Sequence, residues 1–189
     1  MRLKYLLILL LGIALTVGCG DDGEGEPEGP NILNYDGDNF TAPTLPDGLY
    51  EFAIRFPAVL VRNVEGRSIE QVSFYLYEIP SQLFINISPD LTPTLPGDIV
   101  NTQRVTDLRR NSWNTVTLDT PYLLDGNPVW VGIEVTQNST LQTVGCDAGP
   151  ANANGDWLYD EEFQNWETFR SRTNDNESVN WNIRAILSE

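Results

Sequence analysis

Twenty-seven Asp and Glu residues and no histidine define the chemistry open to this chain of 189 residues. Without His, neither a Ser-His-Asp nor a Cys-His nucleophile can be assembled, and no His-based zinc site can form. The single lysine, Lys4, lies in an N-terminal segment expected to be cleaved, which removes Schiff-base chemistry as well. Carboxylate chemistry remains. Two acids about 5–10 Å apart across a cleft suffice for a glycosidase. Asp147, Asp156, Asp160, Glu161 and Glu162 fall in one loop-rich region, but no spacing singles out a pair. Acids this frequent mostly form a solvated surface, so a polysaccharide hydrolase stands only as a rival reading.

A hard cation is a better use of the same residues, because calcium takes oxygen ligands from Asp, Asn and backbone carbonyls on irregular loops. The stretch DGDN offers Asp36, Asp38 and Asn39 around a glycine, and GCDAGPANANGD offers Asp147, Asn152, Asn154 and Asp156. A structural Ca2+ held by Asp36, Asp38, Asp147 and Asp156 is therefore one expectation. The competing one is that both stretches are polar turns, built from residues that favour turns anyway. An EF-hand loop is excluded, since its alternating ligands and closing Glu are missing.

For recognition, the aromatic residues matter. Trp157, Tyr159, Phe163 and Trp166 crowd a segment rich in Asp, Glu and Asn. Exposed rings stack on the C–H faces of sugars while amides and acids bind hydroxyls, which makes Trp157, Tyr159 and Trp166 a candidate glycan platform. Protein interfaces use the same anchors, and Trp157 and Trp166 could equally pack as core at a sheet edge. Trp113 and Trp181 open strands and are expected to be buried.

The N-terminus reads as an export signal. Arg2 and Lys4 precede an apolar run from Tyr5 to Val17, then Gly18-Cys19. The order of charged region, apolar region and small residue at the cut site is that of a signal peptide, and the run is short for a permanent span. LTVGC resembles the lipobox of bacterial lipoproteins, which implies that Cys19 is lipidated and becomes the new N-terminus. An ordinary cleaved signal with an incidental cysteine is the alternative. The following GDDGEGEPEGP holds no apolar residue and is expected to be a disordered, self-repelling tether. The chain thus divides into a signal at 1–18, lipidated Cys19 and linker at 19–31, and one domain at 32–189. Gly20 does not favour inner-membrane retention, and the acidic run resembles surface-export signals of some lipoproteins. An outer-membrane, surface-exposed location is expected, with membrane contact through the lipid alone.

Removal of residues 1–18 leaves nine basic residues, all Arg, against 27 acids, a net charge of about −18. This argues against nucleic-acid binding, which needs Lys and Arg to displace counterions from phosphates. With Cys19 lipidated, Cys146 has no partner in the chain, and it reads as a small buried apolar residue.

These residues need a scaffold, and the scaffold reads as β. Tyr50, Phe52, Ile54 and Phe56 fall on one face of LYEFAIRF. Val72, Phe74 and Leu76 alternate in VSFYLY, and Leu83, Ile85 and Ile87 in LFINI. In VWVGIEV, Val129, Val131, Ile133 and Val135 point inward, with Trp130 and Glu134 outward. Period-2 patterns separated by turn signals at 46–48, 65–66, 96–98 and 125–128 predict an antiparallel β-sandwich or jelly roll. PAVLVRN at 57–63 predicts a short helical turn.

The run WNTVTLDTPYLLDGNPVWVGIEVTQ, then GCDAGP, GDW and the terminal NWNIRAIL, with YDG near residue 35, resembles the jelly-roll adhesin modules of the cleaved-adhesin type in secreted bacterial proteins. The resemblance spans most of residues 33–187. It implies a non-catalytic adhesion or recognition domain acting on an extracellular glycan or protein, often with a structural calcium where the N-terminal loop meets a later loop. An accessory envelope lipoprotein that binds other proteins is the other reading.

Overall fold

The computed structural model describes residues 31–189. The signal peptide, Cys19 and almost all of the acidic linker lie outside the described residues.

Thirteen strands build an all-β domain. One four-stranded sheet has the order β1 (Ile32–Leu33), β13 (Ile183–Leu187), β4 (Ser68–Leu76) and β8 (Ser112–Leu123). The seven-stranded sheet runs β12 (Asn165–Thr168), β11 (Trp157–Asp160), β3 (Gly48–Phe56), β9 (Val129–Gln137), β5 (Gln82–Thr92) and β6 (Leu95–Pro96), with β7 (Asn101–Arg104) also on β5. A short ribbon of β2 (Thr44–Leu45) and β10 (Leu141–Gln142) completes the set. All the strand pairs are antiparallel. The expected helical turn is α1 (Ala58–Val61), continued by a 3-10 turn over Arg62–Val64. A second single turn, α2 (Phe169–Arg172), is capped by Thr168, whose hydroxyl accepts from Ser171 N at 3.1 Å.

The two sheets bury the alternating apolar residues between them. Phe52, Ile54 and Phe56 of β3, Val131 and Ile133 of β9, and Val72 and Phe74 of β4 belong to one core. Trp181 packs edge-on against Phe52, ring centroids 5.0 Å apart, and its indole N–H donates to Trp157 O at 2.7 Å. Cys146 sits in the same core, where burial pushes its thiol up to about 12. Truncating a ring such as Phe52 to Ala would cost about 3–5 kcal/mol. Between β8 and β9 the chain turns at Gly126, whose φ of +83° suits glycine, and the Asp125 carboxylate fixes the turn by accepting from Asn127 N at 3.1 Å.

The outer face of the large sheet departs from the half-solvated pattern that alternation predicts. Ala53, Arg55, Trp130 and Gly132 point away from the core yet are buried. Trp130 takes the expected face, but Trp157 and Trp166 cover it, with ring centroids at 5.2 and 5.6 Å. This second, smaller apolar cluster shapes the candidate site.

Candidate functional site

Register sets the side chains of the outer face in rows across the strands. One row runs Trp166, Tyr159, Glu51, Glu134, Phe84 and Arg104, from β12 to β7. The next runs Thr168, Trp157, Ala53, Gly132, Asn86 and Thr102. Small residues at its centre lower the floor. The hairpin segment Pro96–Ile99 rises on the other side, held by Gly97 N to Pro89 O at 2.7 Å and Val100 N to Ile87 O at 2.9 Å. The result is an open groove of about 380 Å³, with Trp130, Tyr159 and Trp166 on one wall and Glu51, Asn86 and Ser88 on the floor.

Each part is positioned by bonds below it. The Trp130 indole N–H donates to Asp90 Oδ1 at 2.6 Å, and Asp90 pairs with Arg55 at 2.6 Å. Arg55 also donates to Asn154 Oδ1 at 3.1 Å, so the loop after Asp147 helps to fix the tryptophan. Gly132 makes room for a carboxylate: a Cβ at this position would collide with Glu51 Oε1. Glycine inside a strand marks such a close approach. Asn86 Nδ2 donates to both Glu51 Oε1 and Glu134 Oε2, each at 3.3 Å, and Asn86 Oδ1 accepts from Thr102 at 2.8 Å. Burial pushes the Glu51 carboxyl up to about 7; the Asn86 bond opposes this and the facing Glu134 charge adds to it.

The rings expected to bind are divided. Tyr159 and Trp166 are half-buried on the groove wall, with centroids 5.6 Å apart and planes tilted by 42°. Trp157 is buried behind Trp130 and packs as core. The rings therefore form a twisted wall rather than a flat platform. Phe163 is exposed, with the Arg172 guanidinium 5.0 Å from its ring centre.

The four carboxylates expected to hold calcium sit in different surroundings. Asp36 is buried and paired with Arg184 at 2.9 Å, and it accepts from Asn182 at 2.7 Å and Asn34 at 2.8 Å. Arg184 is itself buried and packs over the Trp113 ring at 4.4 Å. Both Asp147 oxygens are engaged by Gly37 N, Gly149 N, Asn180 N and Asn180 Nδ2 at 2.7–3.0 Å. Asp38 is exposed. Asp156 lies apart, accepting from Arg170 N at 2.9 Å, and burial raises its carboxyl to about 6. Among the described residues no three acids or cysteines converge on a cation position. The N-terminal loop does meet the later loop, through the Gly37–Asp147 bond. Two buried amide oxygens there, Asn39 Oδ1 and Asn182 Oδ1, have no partner and face the space above Gly145. They are neutral carbonyl oxygens close to the Asp36–Arg184 ion pair. An ion pair and hydrogen bonds join the two loops at this junction.

Glu51, Asn86 and Gly132 escaped the reading of the sequence, and Glu134 was placed outward without a role. Their signals were present: Gly132 interrupts an apolar strand, and Glu134 is the only charged residue in β9.

No family model matches the chain, and no curated protein matches it. The fold does have solved counterparts. A structure of the cysteine protease and lectin-like domains of Cwp84, a surface layer associated protein of Clostridium difficile, aligns with a TM-score of 0.55 at 12% identity. It covers 82% of this chain and 37% of that one. The same protease after propeptide cleavage aligns with a TM-score of 0.58 at 11% identity, over 85% and 41%. The likeness falls on the lectin-like domain and establishes an all-β fold. This chain spans about two fifths of the length of those proteins.

Proposed function

We propose that this chain is a non-catalytic, surface-displayed module that binds carbohydrate in the groove on the outer face of its large sheet. The observation that carries the reading is a concave site of about 380 Å³ with aromatic rings on one wall and amide, hydroxyl and carboxyl groups on its floor. Ligand sites are concave and largely apolar, with a few well-placed polar groups. The lectin-like fold neighbour of a surface-associated protein supports the same reading. Hydrolysis is disfavoured by geometry: Glu51 and Glu134 are side by side on adjacent strands, bound to one amide, whereas a glycosidase flanks the scissile bond with its two acids.

The lipid anchor at Cys19 is part of the proposal, and it rests on the lipobox-like sequence. Replacing Cys19 by Ser should release the chain from the membrane fraction and abolish acyl labelling. No helix of the described residues is long and apolar enough to cross a membrane. A protein ligand is the second reading, favoured by Leu91, Leu95, Ile99 and Val100, which are exposed along the hairpin beside the groove. Calorimetric titration against a panel of oligosaccharides tests the first reading. Binding should fall at least tenfold in Trp166→Ala while thermal unfolding stays within a few degrees of wild type. Unchanged affinity in that variant would refute the groove.

A further inference from the structure

We infer that the groove selects glycans carrying free, protonated amino groups, an inference that rests on the carbohydrate-binding reading above. The starting observation is where the molecule has placed its cations. Asp36, Asp90 and Asp160 each face a guanidinium, from Arg184, Arg55 and Arg172. Asp147 has four N–H donors. Glu51 and Glu134 have neither. They are direct cross-strand neighbours, and what bridges them is one neutral amide, that of Asn86. Like charges directly opposite on adjacent strands repel.

The surroundings leave that charge uncompensated. The groove lining contains no Arg, and the opposite wall adds Asp98. Arg55 is turned to Asp90, and Arg104 stands beyond Phe84 at the far end of the row. Next to the acid pair, Trp130, Tyr159 and Trp166 present ring faces and edges to the same space. Aromatic faces attract cations as well as sugar C–H surfaces. An amino sugar supplies both: an apolar ring face for the wall and an ammonium for Glu51 on the floor, with the charge of Glu134 beside it across the strands and Asp98 opposite. Binding would complete an ion pair that the fold leaves open. Acidic polysaccharides would be rejected by the same groups, since an unpaired charge pressed against its like is a strong element of specificity.

The test is calorimetric titration of the full chain at pH 7 with three probes: a glucosamine hexamer, its N-acetylated counterpart and a neutral glucan hexamer. The expected result is at least tenfold tighter binding of the free amine, falling to parity in Glu51→Gln and in Glu134→Gln, with both variants folded by circular dichroism. Equal binding of all three probes, lost in Trp166→Ala, would keep the groove as a glycan site and overturn the amine preference. Binding of none of them, or binding indifferent to Trp166→Ala, would overturn the carbohydrate reading itself. Tighter binding of hexalysine than of the glucosamine hexamer would also overturn the inference, in favour of a basic peptide.

Discussion

Replacing Glu51 by Gln should stabilise the protein, and only above about pH 5. In the folded state burial and the facing Glu134 hold the Glu51 carboxyl at about 7, against an ordinary value of 4.5. The sign follows from proton linkage. Below pH 4.5 the group is protonated in folded and unfolded chains alike and contributes nothing. Between 4.5 and 7 the unfolded chain loses the proton while the folded one keeps it, so stability falls as pH rises. Above 7 both are ionised and the full penalty remains. The gap, at 1.36 kcal/mol per pH unit, comes to about 3 kcal/mol. Glutamine is the neutral isostere, and its amide can donate to Glu134 where the carboxyl could not once ionised. Thermal unfolding of wild type and Glu51→Gln should therefore coincide at pH 4 and separate by roughly 6–12 °C at pH 8, with the variant higher. Taking the difference between the two proteins cancels the titration of Asp156 and the other acids. Parallel profiles from pH 4 to 8, or a variant less stable at pH 8, would refute the placement of Glu51 in a buried, cation-free site.

Asp36→Ala should cost about 3–5 kcal/mol, because it removes the carboxylate that neutralises the buried Arg184 guanidinium. Calcium or EDTA should leave the wild-type midpoint unmoved, since the Asp36 and Asp147 oxygens are already engaged; a rise of several degrees with calcium would overturn that assignment. Gly132→Ala should lower stability by about 1–3 kcal/mol and weaken glycan binding, because the new methyl displaces the Glu51 carboxylate; titration and thermal unfolding of one preparation read both. In a Cys19→Ser background, Cys146 should resist a thiol reagent at pH 8 until denaturant is added, as expected of a buried thiol held at about 12.

The fold was largely legible because its strands obey a period of two. The inward positions of β3, β4, β5 and β9 could be read directly, and all are buried. Tyr159 and Trp166 were legible as surface aromatics because they stand among acids. What the pattern hid was the outer face of the central strands. Glu51 and Glu134 are 83 residues apart in sequence and adjacent only through register. Asn86 joins them from a third strand. A one-strand reading assigns Trp130 and Glu134 the same face but cannot show that one becomes buried and the other faces a second acid. Another long-range pairing was equally hidden: Asp36 and Arg184 lie at opposite ends of the domain. An acid-rich turn and a salt-bridged turn have the same local composition.

The distribution of charge ties the site to the rest of the molecule. The chain carries 27 acids against 11 bases, and four of its arginines are engaged by the fold itself. Arg55, Arg172 and Arg184 each pair with a buried or half-buried aspartate, and Arg67 donates to Ser188 O at 2.7 Å near the C-terminus. These pairs fix loops to sheets, and they remove positive charge from the field outside. A surface of predominantly one sign repels polyanions at a distance and draws cations toward any concavity. The groove then acts at short range, where Glu51, which no arginine pairs, lies on the floor beside the aromatic wall, with Glu134 next to it across the strands. A protein built this way discriminates twice by charge, first in approach and then in contact. Its affinity for an amine-bearing ligand should accordingly weaken with added salt, whereas stacking on Trp166 and Tyr159 alone would give binding nearly independent of ionic strength.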